Sequence, residues 1–133
     1  MEKLVALFII ITLLFNSCSN DNSENIDLIG KWRLIEVLAD PGDGSGVFRS
    51  VNSSKTLEFF ADGTVKSNGS LCYMNTGTQQ EGEGTYSLEK GLIRPKNCTI
   101  NGINVTISYK IEGPDLILSY FCIEPCREKF IKI

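Results

Sequence analysis

Hydrophobic and polar positions divide the chain into three stretches. Residues 4–15 form an apolar run preceded by Lys3, residues 19–26 are Ser, Asn, Asp and Glu with almost nothing apolar, and from Ile26 onward apolar residues recur at every second position. Period two is the mark of a strand with one buried face. It predicts strands at 28–38, 55–60, 63–69, 83–89, 91–97, 103–112, 115–122 and 126–132. No helical period interrupts them, so the expected fold is all-β, an eight-stranded antiparallel up-and-down β-barrel.

The links between strands assign the two ends of that barrel. Ala61-Asp62-Gly63, Lys90-Gly91 and Gly113-Pro114-Asp115 are tight turns, whereas the links at 39–54, 70–83 and 97–103 are longer and polar. Successive links alternate between ends, so the tight turns close one end and the long loops ring a mouth. The inward register takes in bulky groups, from Leu34, Leu57 and Phe59 through Tyr86, Leu88, Val105, Ile107 and Tyr109 to Leu116, Leu118 and Tyr120. Such a list favours an interior filled by side chains over one that holds a small ligand. Trp32, the only tryptophan, follows Gly30 at the start of the first strand, where the inward face offers few other large groups. Gly30 and Trp32 are therefore expected to form a structural plug of the closed end.

Four of the five cysteines fall at the mouth: Cys72 and Cys98 in long loops, Cys122 and Cys126 flanking the last turn. An even number in a small exported domain reads as two disulfides, for which three connectivities exist. The short Ile123-Glu124-Pro125 turn favours Cys122 with Cys126, leaving Cys72 with Cys98 to pin neighbouring loops.

Length and composition narrow the function. The 133 residues allow a signal segment at 1–17, a flexible tether at 18–26 and one domain at 27–133. A net charge of −3 with scattered Lys and Arg argues against nucleic acid. The chain has no histidine, which removes the usual general base and the commonest zinc ligand together. Glu81 and Glu83 are expected to be solvated rather than a catalytic pair, and the Asp40–Gly46 loop lacks the ligand spacing of a calcium loop. No enzyme activity, no cofactor and no metal are expected.

Phe15-Asn16-Ser17-Cys18, at the end of a run too short for the ~20 residues of a membrane span, resembles the lipobox of bacterial lipoproteins. Ser17 and Cys18 match that pattern, while Phe15 and Asn16 depart from the commoner Leu and Ala/Ser. The resemblance implies cleavage before Cys18, a thioether-linked diacylglycerol on it, and N-acylation by a fatty acid such as palmitate. Ser19 in the next position implies the outer membrane, on the periplasmic or the cell-surface face.

Gly30-Lys31-Trp32 looks like the Gly-x-Trp signature of lipocalins. With the Asp40–Gly46 loop, Lys55-Thr56-Leu57-Glu58-Phe59 and Asp62-Gly63-Thr64, residues 27–133 resemble the lipocalin-like lipoproteins of Gram-negative bacteria. That resemblance implies a calycin-type barrel, a membrane attachment through the lipid anchor, and carriage of a small apolar ligand. The chain departs from it in the last strand, where lipocalins commonly pack an arginine on the tryptophan. Here Arg127 falls near the mouth, and only Lys129 and Lys132 lie further along. The alternative role is a surface interaction module whose mouth loops contact an envelope protein or a glycan, with the barrel as scaffold.

Overall fold

A computed structural model describes residues 28–133. The signal segment, Cys18 and the tether lie outside the described residues. The barrel is built from β1 (Gly30–Ala39), β3 (Thr56–Phe59), β4 (Thr64–Ser67), β5 (Gly82–Ser87), β6 (Leu92–Pro95), β9 (Ile107–Glu112), β10 (Asp115–Ser119) and β11 (Cys126–Lys132). Each is antiparallel to the next, and β11 pairs back onto β1 to close the barrel. The architecture is thus the expected eight-stranded up-and-down barrel, and the described residues contain no helix.

Three short strands lie outside this count. β2 (Arg49–Ser50) adds to the edge of β1, and β7 (Thr99–Ile100) with β8 (Ile103–Asn104) makes a separate hairpin at the mouth. That hairpin splits the strand expected at 103–112. Its physical cause is Asn101-Gly102, both with positive φ (52° and 78°), the conformation that a two-residue hairpin turn requires.

β1 carries a bulge between Leu34 and Glu36 that changes which parity faces inward. Leu34 opposes Phe130 inside the barrel, but the next inward pair is Val37 with Glu128. Glu36 consequently points outward, where it pairs with Lys129. On the outer face the register sets Lys31 beside Glu58, Glu58 beside Lys66, and Lys66 beside Glu83, which bridges to Lys96 at 2.9 Å. Opposite charges thus alternate across neighbouring strands on the solvent side.

The interior is occupied by side chains. Trp32, Leu57, Val65, Ile93, Ile107 and Phe130 have 0% accessible surface, so a water-sized sphere touches none of them, from outside or from within. Burial of each such group contributes about 1.5–3 kcal/mol. Leu88, by contrast, is 68% exposed rather than inward. β5 ends at Ser87, whose hydroxyl accepts from Lys90 N at 3.3 Å, so Leu88 sits in the turn and not on the strand.

The closed end is also built differently from expectation. Trp32 is fully buried there and its Nε1 donates to the Leu28 carbonyl at 2.9 Å. It is accompanied by Phe59 packed edge-on against Tyr86, with Tyr109 alongside at 6.1 Å. The two tyrosine hydroxyls donate to the carbonyls of Phe60 and Ser87. Phe59, Tyr86 and Tyr109, expected to face inward, thus gather at the end where few large groups were expected beside Trp32.

The Gly-x-Trp pair has a local explanation. Gly30 has φ +119°, and a Cβ there would come within 3.2 Å of Lys132 Cε. Its absence lets the Lys132 chain cross to put Nζ 5.6 Å from the centre of the Trp32 ring. The last strand thus sets a lysine, Lys132, over the Trp32 ring, while Arg127 lies toward the mouth.

Candidate functional site

Strand parity carries two charged residues into the mouth end of the barrel. Lys55 lies two positions before the inward Leu57, and Glu128 lies between the inward Cys126 and Phe130. Both are fully buried. The Lys55 ammonium donates to both Glu128 oxygens at 2.8 Å and to the Asn75 carbonyl at 3.0 Å. Glu128 also accepts from Asn75 N at 2.9 Å and from the Tyr120 hydroxyl at 2.6 Å. Burial lowers the pKa of Lys55, against the opposing pull of the Glu128 carboxylate. Burial first, then the same carboxylate, hold the Tyr120 phenol well above its ordinary value.

This cluster holds the main chain of the loop between β4 and β5. One buried ion pair takes both the N–H and the C=O of Asn75, so the loop is clamped down over the mouth. Leu71 from the same loop is buried against the core, and Met74 packs on it. Gly69 makes the close crossing possible, because a Cβ there would meet Gly77 O at 2.5 Å and Lys55 Cγ at 2.9 Å. A second tie is Ser53 Oγ, which donates to the Thr76 carbonyl at 2.7 Å and accepts from Lys55 N.

Both expected disulfides are present: Cys72 with Cys98, and Cys122 with Cys126. The first joins the β4–β5 loop to the start of the β7–β8 hairpin, and the second closes the β10–β11 turn. Asp40 secures the remaining loop. Its carboxylate accepts from the backbone N–H groups of Gly42, Gly44 and Gly46, which depress its pKa. The Asp40–Gly46 segment is in this way a self-hydrogen-bonded turn, and its neighbour across the mouth is the β10–β11 turn, through Asp40 N to the Pro125 carbonyl at 2.9 Å.

Large apolar side chains nevertheless face solvent on these pinned loops. Ile123 is 101% exposed, Phe121 and Ile103 are 72% exposed, and Val47 lies open on the first loop. Between residues 52–54 and 73–80 runs a groove of about 610 Å³. A second of about 610 Å³ continues on the far side of Tyr73 toward Pro95 and Asn97. Tyr73, 47% exposed, stands between the two with its hydroxyl bonded to Gln80 Oε1.

Of the residues singled out from the sequence, the mouth brings together Cys72, Cys98, Cys122 and Cys126, while Gly30 and Trp32 sit at the opposite end. Cys18 lies outside the described residues. Glu83 pairs with Lys96 at 2.9 Å, which lowers its pKa. The Lys55–Glu128–Tyr120 cluster is what sequence reasoning missed. The signal was present in the parity of Lys55 with Leu57 and Phe59, and of Glu128 with Cys126 and Phe130. Comparison of the chain with protein-family models, with curated proteins and with solved structures gives no match.

Proposed function

We propose that the chain is a lipid-anchored, lipocalin-like lipoprotein of a Gram-negative outer membrane, whose barrel serves as a scaffold and whose mouth loops make the functional contact. The observation that carries this reading is a contrast. Most side chains that would line a carrier's chamber, Trp32, Leu57, Val65, Ile93, Ile107 and Phe130 among them, have no accessible surface, whereas Phe121, Ile123, Ile103 and Val47 are exposed on the loops. Exposed apolar groups on rigid loops are what a protein contact uses. The Cys122–Cys126 and Cys72–Cys98 disulfides and the Asp40 carboxylate tie those loops down, so little ordering cost remains at binding. The role is one of binding rather than catalysis, and the partner is a component of the cell envelope.

Cys18 is the attachment point in this reading, and the tether joins the domain at the closed end, next to Leu28. The mouth then faces away from the membrane. The test places a photoreactive amino acid at Ile123 or, as control, at Glu112 of the full-length chain in intact cells. Discrete cross-linked products from position 123 and none from 112 are expected. Cross-linking only from 112, or none from either combined with stoichiometric uptake of an apolar fluorescent probe, returns the function to carriage in the barrel. Cys18→Ala should abolish labelling by radioactive palmitate, and persistent labelling would remove the anchor from the proposal.

A further inference from the structure

The groove between residues 52–54 and 73–80 differs in chemistry from the rest of the surface. Although 22% of the chain is charged, none of the residues lining this groove is. Asn52, Ser53 and Ser54 form one wall, Thr76, Thr78 and Gln79 the other, and Tyr73 stands at its end. Among the described residues, the side chains of Asn52, Ser54, Thr78 and Gln79 make no hydrogen bond to the protein, so their amides and hydroxyls are available to a ligand.

Each class of ligand can be weighed against that lining. A phosphate, carboxylate or amine would find no counter-charge in the groove. An apolar ligand would strip water from amides and hydroxyls and give nothing back. A neutral polyhydroxylated ligand fits, because every sugar hydroxyl is both donor and acceptor, as are the Asn and Gln amides and the Ser and Thr hydroxyls. The half-exposed Tyr73 ring adds a flat amphipathic surface on which the C–H face of a sugar ring can lie. A volume of about 610 Å³ is in the range of small-ligand sites and accommodates several sugar units.

The walls are also held in place before any ligand arrives. Ser53 Oγ ties the first wall to Thr76 of the second. Asn75, at the base of the second wall, has its main chain fixed by Lys55 and Glu128 and its side chain by Gly77 N at 2.6 Å. Cys72, beside Tyr73, is fixed by its disulfide to Cys98. The buried ion pair, which is costly to maintain and rarely stabilising on balance, thereby acquires a purpose as the foundation of the groove.

We propose that this groove binds a neutral oligosaccharide, with Tyr73 as the stacking platform and Asn52, Thr78 and Gln79 as hydrogen-bonding groups. The proposal rests on the mouth loops being the recognition surface, and it names one ligand class for them.

The experiment titrates the full-length chain, in a detergent free of sugar, with maltohexaose, xylohexaose, mannohexaose and chitohexaose, and with hexagalacturonate as the charged control. Calorimetry reads the binding. At least one neutral oligosaccharide should saturate with a Kd at or below about 1 mM, and hexagalacturonate should not bind. Tyr73→Ala should weaken that binding about tenfold or more while leaving the melting temperature and Trp32 fluorescence unchanged. Thr78→Asp, on an exposed position, should weaken it similarly, and Phe121→Ser should leave it as it is. The site is overturned if no neutral oligosaccharide saturates by about 10 mM, if hexagalacturonate binds equally well, or if Tyr73→Ala binds as the wild type does. Retention of the position-123 cross-link in any of these cases sinks the sugar site alone. Loss of that cross-link as well sinks the mouth-loop reading with it.

Discussion

Replacing Glu128 by glutamine keeps the shape of the side chain and removes its charge. The Glu128 oxygens accept four hydrogen bonds, two from Lys55 and one each from Asn75 N and the Tyr120 hydroxyl. An amide offers one oxygen, so about half of these acceptances survive, and its NH₂ must face the Lys55 ammonium or the tyrosine. Lys55, also without accessible surface, then has no counter-charge. Breaking a buried pair in this way costs about 3–5 kcal/mol, a large share of the ~5–15 kcal/mol by which a domain is stable. For a domain of roughly 100 residues each kcal/mol is worth about 4–8 °C, so the melting temperature should fall by at least about 12 °C. Urea denaturation followed by circular dichroism measures the loss. Amide exchange should quicken across residues 70–80, where Asn75 has lost its clamp. A double variant, Lys55→Met with Glu128→Met, should cost less than the two single variants summed by about 1.5 kcal/mol or more, because no lone charge is left buried. Strict additivity, or a loss below about 1 kcal/mol for Glu128→Gln, would refute the account of the ion pair as the loop's foundation.

The Tyr120 phenol, raised by burial and by Glu128, stays protonated in the folded state at pH values where the unfolded chain ionises. Its contribution is therefore complete below about pH 10 and is lost as pH rises above it; the stability gap between wild type and Tyr120→Phe should narrow from pH 9 to pH 11 in urea titrations, and a constant or widening gap contradicts this. Removing the Cys72–Cys98 bridge, which spans 26 residues, should cost about 3.5 kcal/mol by loop entropy, against about 2 kcal/mol for the Cys122–Cys126 bridge of separation 4. Equal losses from the paired Cys→Ser variants would count against an entropic origin. Trp32→Ala should destabilise by about 3–5 kcal/mol as a large-to-small core change without altering cross-linking from position 123. Unchanged stability would mean that Phe59, Tyr86 and Tyr109 alone close that end.

Much of this architecture is written in local pattern. Period-two alternation and the turn residues between strands specify the eight barrel strands, because a strand's faces alternate residue by residue whatever it packs against. Up-and-down connectivity then sends the loops with Cys72, Cys98, Cys122 and Cys126 to one end, and the short turn between Cys122 and Cys126 limits their pairing. The Asn101-Gly102 hairpin was equally legible, since that dipeptide favours the positive φ values it adopts; the alternation of residues 103–112 masked it.

Other features exist only once the barrel has closed. The bulge after Leu34 comes from fitting β1 against β11 and moves the inward parity to Val37, which no single-strand pattern contains. Lys55 and Glu128 are 73 residues apart; parity puts each on an inward face but says nothing of which charge it meets there. Closure puts both inside one ring of strands, where low polarity makes each the other's obligatory partner. Asn75 and the groove above it depend on that pairing, so the candidate site is a property of long-range contact. Local sequence determined which residues form strands and where they turn; the packing of distant strands decided which polar groups are buried, what they hold, and therefore which loop surface is fixed in place.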